Sequence, residues 1–518
     1  MKMIMRILKF LVVTAQGVTS GLLIYTLFHL NVLQVWQNLV ATGILAVLFL
    51  ICLKVLVFPK KRFNKDGTPK NPKLIPQIIC IILSLATSTG AVFAYHYIDP
   101  ISDFIADITK ESKTHVKVYN LLTPKLTDAD QKRTLADYAD KEIGFLSLDP
   151  YMAKAEFALK EKISFTNKTF DDIDTITTAL DDKSLPAIVL EAERFEALAE
   201  IAETKKTEGA KGAKGATNSS SKSTQDLATF AGRVEVTYTF EITVEDTNYS
   251  SSVDITKDPF IAYISGTDSR QGINGVARSD VNILAVVNPI KNKILLLTIP
   301  RDTYVQLHGT TGIKDKLTHA GIYGIDMSKN TIEDFLNIKI DHTIKVSFAT
   351  VVNVVDAIGG IEINSDTAMT LKVEGKDKKC TYVVGNQTLD GDCALRYARE
   401  RKTYYIGDIH RGRNQQQVIT AIIDKISKNK SLLTDYPRIL KAAEGTFETS
   451  FTYNDITSFV RYQLAEGKSW QTESIDITGT ARYAGTYSMG EKLPLYVMDA
   501  DESSIKNAQA KIAEYLAK

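Results

Sequence analysis

The stretch RSDVNILAVVNPIKNKILLLTIPRD, residues 278–302, decides the fold of this chain. It contains two nearly continuous apolar runs, Val281 to Val287 and Ile294 to Ile299. Such runs are typical of strands that are covered on both faces. The turn residues between them predict a hairpin.

A third run of the same kind, Phe260 to Ser265, precedes this stretch, and amphipathic helical patterns follow it at Thr331 to Leu336, Phe348 to Ile358 and Arg413 to Ile426. Short buried strands that alternate with amphipathic helices predict an α/β protein. We expect a three-layer α/β/α domain with a mixed central sheet.

Charged residues stand at the ends of these predicted strands. Asp268 follows the first strand, Asp280 begins the second, and Arg301 comes after Ile299-Pro300 at the end of the third. Two aspartates are the number of protein carboxylates that magnesium commonly uses. The alternative is that either aspartate caps a turn or pairs with a neighbouring arginine. Together with the nearby arginines, the set predicts a site for phosphate or pyrophosphate with a divalent metal.

Further candidates for this site lie between residues 396 and 415. Arg399 and Arg401 share one face if their stretch is extended, with Glu400 facing away, whereas in a helix they would diverge. Arg411 and Gln415 continue the apolar stripe of the following helix, so we expect them to point toward the core side of the domain. Asp408 either caps that helix or acts on the substrate.

Three apolar stretches open the chain, at about 7–30, 32–58 and 74–97, and each is long enough to span a membrane. Lys and Arg residues precede the first stretch and fill the loop between the second and the third. The positive-inside rule therefore predicts a cytoplasmic amino terminus and extracellular carboxy-terminal domains. We predict a membrane anchor over residues 1–97.

Residues 98–250 are predicted to form a small extracellular α+β accessory domain. Its first part has helical patterns at Asp128 to Gly144 and Tyr151 to Ile163. Residues 204–226, rich in Lys, Gly, Ala and Ser, are predicted to be a disordered loop. The stretches on either side, Ala187 to Phe195 and Val234 to Val244, are expected to pair as strands.

Cys380 and Cys393 flank a polar segment with turn residues in the predicted extracellular part, where oxidation is permitted. This placement favours a disulfide, and the alternative is two unpaired buried thiols. Charge excludes some function classes, because 62 basic and 61 acidic residues give a net charge of +1, without the polycationic character of many nucleic-acid binders. The sequence also lacks GxxxxGK[ST], GxSxG and HExxH motifs, so it gives no local support for nucleotide-driven chemistry, serine acyl transfer or zinc hydrolysis.

From about residue 257 to 428 the sequence resembles the LytR-CpsA-Psr family of cell-envelope proteins. The resemblance rests on an ordered series of motifs: GTDSR, RSDVNILAVVN, LLLTIPRDTYV, DKLTHAGIYG, VVDAIGGIEI, LDGDCALRYARER and RGRNQQQ. The three spans and the extra module look most like the streptococcal-type capsule proteins of that family. The resemblance implies that residues 251–518 form the catalytic domain.

The activity implied by this resemblance is transfer of a glycopolymer, such as a capsular polysaccharide, from a polyprenyl-pyrophosphate carrier to a hydroxyl of peptidoglycan through a phosphodiester. It implies Mg²⁺, or Mn²⁺ in its place, as the cofactor, and capsule-assembly membrane proteins as candidate partners. On the matching positions, Asp268 and Asp280 would hold the metal, with Arg301 and Asp408 as further catalytic candidates. The implied pyrophosphate-binding residues are Arg278, Arg301, Arg399, Arg401, Arg411 and Gln415. Many relatives carry arginine where this chain has Asn414, so that position is assigned no anion contact.

Two other functions stay open on the sequence alone. One is a hydrolase that uses water as the acceptor at the same pyrophosphate site. The other is a non-catalytic envelope regulator or sensor whose cytoplasmic loop acts on a partner. Direct DNA binding is not expected, because the predicted cytoplasmic part consists of short ends and a short loop without a helix-turn-helix pattern.

Overall fold

The computed structural model describes residues 2–30, 35–59, 62–63, 69–70, 74–109, 112–126, 132–199, 229–247, 251–267, 273, 275, 277–404 and 407–518. The predicted loop at 204–226 lies outside the described residues, as does Asp268. The chain divides into two compact units. The first comprises Met1–Thr109, Asn429–Lys441 and Thr452–Lys468, and the second comprises Lys110–Lys428, Ala442–Phe451 and Ser469–Lys518. The domain boundaries at 97 and 250 stay predictions.

The first unit is built on the helices Lys2–Leu30, Val35–Leu56 and Leu74–Ile108. All three predicted apolar stretches are therefore helical, and each helix is long and apolar enough to cross a membrane. Large apolar side chains cover their outer surfaces, whereas Gln16 and Ser84 are buried and joined by a hydrogen bond of 2.7 Å. Apolar side chains outside and paired polar groups inside suit a lipid environment. The remaining elements of this unit are a short strand pair, Arg62–Phe63 with Pro69–Lys70, and the helices Lys430–Thr434, Tyr436–Ala442 and Tyr453–Glu466.

A six-stranded mixed sheet, called the central sheet below, forms the middle layer of the second unit. In spatial order its strands are Phe447–Thr449, His342–Ser347, Phe260–Thr267, Ser279–Asn288, Lys293–Thr298 and Gln471–Asp476. The predicted hairpin is confirmed, because Ser279–Asn288 pairs antiparallel with Lys293–Thr298 and Asn292 adopts a positive φ of 52° in the turn. The neighbours of this hairpin include parallel pairs, so the sheet is mixed as predicted.

Helices cover both faces of the central sheet. On one face, Ile325–Leu336 and Glu502–Leu516 pack on a core that includes Tyr263, Leu284 and Leu297. On the other face lie Phe348–Ala357, Gly391–Ala398 and Gly407–Ser427. Burial on both faces explains why these strands are apolar at nearly every position. The predicted three-layer α/β/α fold is confirmed.

Residues 112–247, called the accessory module below, form a five-stranded sheet with helices Met152–Lys160 and Ile173–Asp181. Its strand order is Thr166–Phe170, Glu142–Leu146, Ala187–Glu191, Ser112–Pro124 and Val234–Thr247. The predicted pairing of the two strands around the 204–226 loop is wrong, because Ser112–Pro124 lies between them and pairs with both. The first of the two also ends at Glu191, where a helix begins.

The predicted helix at Asp128 to Gly144 is also wrong. Leu135–Tyr138 is a 3-10 turn, and Glu142–Leu146 is a buried strand. Local propensity misled the prediction because the strand is stabilised by its two neighbours in the sheet rather than by its own pattern. The helical pattern at Tyr151 to Ile163 is confirmed as Met152–Lys160.

Two-stranded ribbons and short helical turns complete the second unit. The ribbons are Tyr304–Val305 with Asp315–Lys316, Ile361–Ser365 with Gly385–Leu389, Met369–Lys372 with Lys379–Tyr382, and Gly479–Thr486 with Gly490–Ala500. Residues Leu317–Ala320 and Gly321–Tyr323 form two consecutive helical turns, called the linking turn below. Cys380 and Cys393 are joined by a disulfide in the structure, with their Cα atoms 5.5 Å apart.

Two isoleucines near the sheet hairpin give a test of the fold. Ile283 is fully buried in the central sheet, whereas Ile290 in the hairpin turn is 50% exposed. We expect Ile283→Ala to lower the free energy of unfolding by about 2–5 kcal/mol because it leaves a cavity. Ile290→Ala should change it by less than about 0.5 kcal/mol.

The measurement is urea unfolding of the full chain in detergent, followed by the fluorescence of the buried Trp470 in a Trp36→Phe background. Equal destabilisation by the two substitutions would contradict the assigned burial of this strand.

Candidate functional site

The candidate site lies at the start of strand Ser279–Asn288, where Arg278 and Asp280 stand on either side of Ser279. The Ser279 hydroxyl lies in a buried polar cluster, 2.7 Å from the Ser265 hydroxyl and 2.9 Å from Oδ1 of Asn282. The Tyr263 hydroxyl donates to the same Asn282 oxygen at 2.6 Å. Buried polar groups that satisfy one another favour one arrangement. The cluster therefore fixes the backbone between Arg278 and Asp280.

Asp280 is the centre of the charged group. Its Oδ1 atom accepts hydrogen bonds from Nη1 of Arg301 at 3.0 Å and from the Thr318 hydroxyl at 3.1 Å. The side chain of Asp280 is 24% exposed and that of Arg301 is 22% exposed. The ion pair is thus partly shielded from water but open to a ligand.

Two further arginines act on the same carboxylate. Burial alone would raise the pKa of Asp280, but the guanidinium groups of Arg301, Arg278 and Arg411 hold this pKa below its usual value. Asp280 is therefore charged at neutral pH. Several guanidinium groups gathered around one carboxylate are suited to binding a polyanion such as pyrophosphate.

The segment that carries Arg301 is held in place by hydrogen bonds of its backbone. Thr303 closes a turn on the Pro300 carbonyl, with its N–H at 3.0 Å and its hydroxyl at 2.6 Å. The Arg301 carbonyl accepts from the N–H of Thr318 at 2.9 Å. Asp302 is buried and forms an ion pair with Lys316. These contacts with neighbouring segments fix the backbone from which the Arg301 side chain projects, as expected after a proline that ends a strand.

Arg411 and Gln415 lie in helix Gly407–Ser427 and are half-buried. The fully buried polar residues of this helix are instead Asn414 and Gln416. The amide of Gln416 donates to the carbonyls of Leu296 at 3.1 Å and Ile475 at 2.9 Å, which ties the helix to the central sheet.

Gly412 brings the same helix close to the sheet, because a Cβ atom there would lie 2.9 Å from Cγ2 of Thr298. The amide of Asn414 donates to the Tyr397 carbonyl at 3.1 Å. The segment around Arg411 is thus held against its neighbours, and Arg411 acts on Asp280 from this segment. The prediction that the Arg411 side of the helix faces inward holds in part, since the residues at 412, 414 and 416 are buried more deeply.

The expectation that Arg399 and Arg401 lie in an extended stretch is wrong. Helix Gly391–Ala398 ends there, and its C-cap, Arg399, keeps helical dihedrals. Glu400 is buried and pairs with Arg396 at 2.7 Å rather than facing away. The reason is that Glu400 also accepts hydrogen bonds from the N–H and hydroxyl of Thr403, which stabilise a turn instead of a strand.

This turn separates the two arginines. Arg399 donates to Glu374 at 2.8 Å, and its guanidinium carbon lies 4.2 Å from the centroid of the Phe348 ring. Arg401 is exposed. The main electrostatic influences on the pKa of Asp280 come instead from Arg301, Arg278 and Arg411. Their role in anion binding stays a prediction.

Several residues of the site were not found from the sequence. They are Thr318, which bonds Asp280, and the cluster of Tyr263, Ser265, Ser279 and Asn282. Asn282 gave one signal, because it is a polar residue inside an otherwise apolar strand. Thr318 lies within the motif DKLTHAGIYG, but its contact with Asp280 depends on how a distant turn folds back on the sheet.

The side chains of two predicted site residues are not among those that the structure describes. Asp268 lies outside the described residues, and Asp408 belongs to the first helical turn of Gly407–Ser427 with a side chain that is not described. Within the described ranges, no group of three or more His, Cys, Asp or Glu residues could hold a metal ion. The charged carboxylate of Asp280 nevertheless fits magnesium, which takes few protein carboxylates and fills its other positions with water and phosphate oxygens.

The fold and site thus define a class: an α/β protein with three membrane-type helices and a cluster of arginines around one aspartate. The LytR_cpsA_psr family model matches residues 221–511, which is more than half of the chain. The chain therefore belongs to the LytR_cpsA_psr family.

Similar proteins include two teichoic acid transferases. The chain is 35% identical over 271 residues to the polyisoprenyl-teichoic acid–peptidoglycan teichoic acid transferase TagU of Bacillus licheniformis, covering 52% of this chain and 82% of that protein. It is 33% identical over 267 residues to TagU of Bacillus subtilis, covering 51% and 79%. Among solved structures, TagV of B. subtilis is 29% identical to this chain. The match covers 50% of this chain and 98% of TagV, with a TM-score of 0.43.

The charge state of Asp280 gives a prediction on pH. A lowered native pKa means that the charge of Asp280 stabilises the fold above the unfolded-state pKa of about 3.9, and that this contribution is lost as the pH falls through the native pKa. We expect the difference in unfolding free energy between the wild type and Asp280→Asn to be constant from about pH 7 to 5. Only below about pH 4 should the wild type lose stability relative to Asp280→Asn.

The measurement is urea unfolding of both proteins at each pH, with Asp499→Asn as the control for an exposed aspartate paired with Arg482. A change that begins above about pH 5 would mean that the arginines do not hold Asp280 in its charged form.

Proposed function

We propose that this protein transfers a glycopolymer from a polyprenyl-pyrophosphate carrier to peptidoglycan by forming a phosphodiester. The observation that carries the proposal is the convergence of Arg278, Arg301 and Arg411 on Asp280. Membership of the family and the transferase activity that the TagU proteins are named for support the same reaction.

In this reaction a peptidoglycan hydroxyl attacks the phosphorus that carries the glycan. The bond from that phosphorus to the bridging oxygen breaks, polyprenyl phosphate leaves, and the hydroxyl proton is released. Charge builds on the phosphoryl and leaving oxygens, and stabilising this charge is the main work of a phosphoryl-transfer site. Arg278, Arg301 and Arg411 are suited to it because guanidinium forks match phosphate oxygens.

Asp280 and Thr318 orient Arg301 and the adjacent backbone in this scheme. Asp280 would also hold Mg²⁺ or Mn²⁺, and Asp268 is the second candidate ligand. When bound, the metal would neutralise charge on the pyrophosphate oxygens. Arg399, Arg401 and Gln415 are proposed to contact the donor farther from the reacting phosphorus, and Asp408 is a candidate base for the hydroxyl proton.

The proposed polymer is a capsular polysaccharide. The three spans and the accessory module support this choice, because they resemble the capsule-type members of the family more than a single-domain protein. The competing donor is a lipid-linked teichoic acid, the substrate class in the names of the TagU proteins.

A transfer assay tests the function directly. Full-length protein in detergent is incubated with Mg²⁺, peptidoglycan and either a radiolabelled lipid-pyrophosphate capsular oligosaccharide or a lipid-linked teichoic acid. We expect label in the wall fraction, and Arg301→Ala and Asp280→Ala each to reduce the rate by about 10²- to 10³-fold, because each removes charge organisation at the reacting phosphate.

Arg233→Ala is the matched control, because Arg233 forms a surface ion pair with Asp181 on the accessory module. Its rate should remain within about 2-fold of the wild type, since exposed ion pairs contribute little. Label that appears only as free sugar phosphate would indicate a hydrolase. Undiminished transfer by Arg301→Ala would remove that residue from the mechanism.

We also propose that the amino terminus is cytoplasmic and that the second unit is extracellular. The support is the distribution of Lys and Arg, which fill the segment between the second and third helices. This orientation would give the site access to a lipid-linked donor on the outer leaflet.

Cysteine labelling tests the orientation. In a background with Cys52 and Cys80 replaced by alanine, Lys506→Cys is expected to react with a membrane-impermeant maleimide on intact cells, because Lys506 is well exposed near the carboxy terminus. Lys65→Cys should react only after the cells are permeabilised. The reverse pattern would place the catalytic unit inside the cell.

A further inference from the structure

The accessory module shares a core with the catalytic part of the second unit. Leu122, Ile188 and Phe230 of the module belong to one buried apolar cluster with Leu307 and Ile322. A shared core of this kind couples the two parts mechanically, because packed interiors transmit displacement rather than absorb it.

A buried ionic network crosses the same boundary. Lys117, Glu191 and Arg194 are almost completely buried, and Glu191 pairs with both cations. Burial alone would raise the pKa of Glu191, but Lys117 and Arg194 lower it, so the carboxylate stays charged. Removing such charges from water is costly, so a buried network is weak support for stability and better explained by a geometric role.

The partners of this network on the catalytic side are mainly backbone groups. Lys117 Nζ donates to the Ile322 carbonyl at 3.0 Å, and Arg194 donates to the Ser488 carbonyl and, at 3.3 Å, to the Tyr323 hydroxyl. Ile322 and Tyr323 belong to the linking turn. The network therefore holds the main chain of that turn.

The linking turn lies directly against the candidate site. Thr318 in the turn bonds Asp280. A Cβ atom on Gly321 would lie 2.5 Å from the Ser279 nitrogen and 2.6 Å from the Ala277 carbonyl oxygen, so the two backbones are in contact there. Movement of the turn would displace the segment that carries Arg278 and Asp280.

The same strand of the module contacts the chain on the other side of this segment. Val116, next to Lys117 in strand Ser112–Pro124, forms a parallel β-bridge with Gly275. Lys345 Nζ donates to the carbonyls of Ile273 and Gly275 at 2.6 and 2.9 Å, which fixes this point from the central sheet. Two neighbouring residues of one strand thus contact the chain around Arg278 from two sides. Val116 contacts Gly275, and Lys117 contacts Ile322 in the linking turn.

We infer that the accessory module is a positioning element for the anion site, with Lys117 and Arg194 as its positioning residues. Its strand Ser112–Pro124 fixes Gly275 and Ile322, and through them it sets the distance of Arg278 and Asp280 from Arg301. The inference rests on the proposed role of these residues in pyrophosphate binding.

Hydrogen exchange of the full-length protein in detergent tests the positioning itself, without a ligand. In Lys117→Met we expect faster exchange at residues 277–282 and 317–323, with unchanged exchange at Leu295–Leu297 in the sheet core. Lys168→Met is the matched control, because Lys168 is on the same module and 46% exposed. It should leave all three segments unchanged.

Binding of inorganic pyrophosphate with Mg²⁺, measured by calorimetry, tests the consequence for the site. We expect Lys117→Met to weaken binding by about 3- to 10-fold, the scale of one lost buried hydrogen bond. In an Arg278→Ala/Asp280→Ala background, Lys117→Met should cause no further loss, because a residue that acts through the site has nothing left to position.

A second variant covers the case in which Lys117→Met does not fold. Tyr323→Phe keeps the ring in the core and removes the hydroxyl that accepts from Arg194, and it should show the same exchange pattern in weaker form. Unchanged exchange at 277–282 in a folded variant would overturn the inference, as would an equal loss of affinity in the Arg278→Ala/Asp280→Ala background. Failure of the wild type to bind pyrophosphate would instead count against the proposed function, and the exchange result would still decide the positioning role.

Discussion

The convergence of Arg278, Arg301 and Arg411 on the carboxylate of Asp280 is the constraint on which the site depends. Cations close together repel one another, and the carboxylate of Asp280 offsets part of this repulsion. The arrangement persists because the surrounding structure holds each backbone: the Ser279 cluster at one arginine, the linking turn at the second, and the sheet-anchored helix at the third. The guanidinium groups are thus held close together, as binding of a polyanion requires.

The second unit contains another cluster of charges, and the difference between the two is informative. Lys117 and Arg194 are buried with Glu191, and Asp149 lies close by with a pKa that burial and Glu191 raise to about 6. There the charges are nearly balanced, excluded from water, and directed at backbone carbonyls. At the candidate site, by contrast, the side chains of Asp280 and Arg301 are about one-quarter and one-fifth exposed. The first arrangement fits a structural role, and the second fits ligand binding.

The sequence predicted the features that depend on local pattern. Apolar runs predicted three of the six strands of the central sheet, and the turn residues between two of them predicted the hairpin after Asn288. It failed where distant segments decide the outcome. Strand Ser112–Pro124 was missed, although it joins the two strands that were expected to pair. The alternating charges at Arg399 left an extended and a helical conformation open, and the turn is decided by the partners that Glu400 finds in Thr403 and Arg396. Thr318 reaches Asp280 only through the tertiary fold.

A site that gathers several cations depends on the rest of the molecule. These groups would move apart if they were free to do so, so the site needs rigid supports. Buried polar clusters serve this purpose better than apolar packing, because hydrogen bonds fix directions whereas apolar contacts mainly fix volume. This reasoning accounts for two features near the site that are costly to bury. They are the Ser279 cluster at the start of strand Ser279–Asn288 and the Lys117–Glu191–Arg194 network next to the linking turn. The first ends on the backbone between Arg278 and Asp280, and the second ends on the linking turn that packs against it.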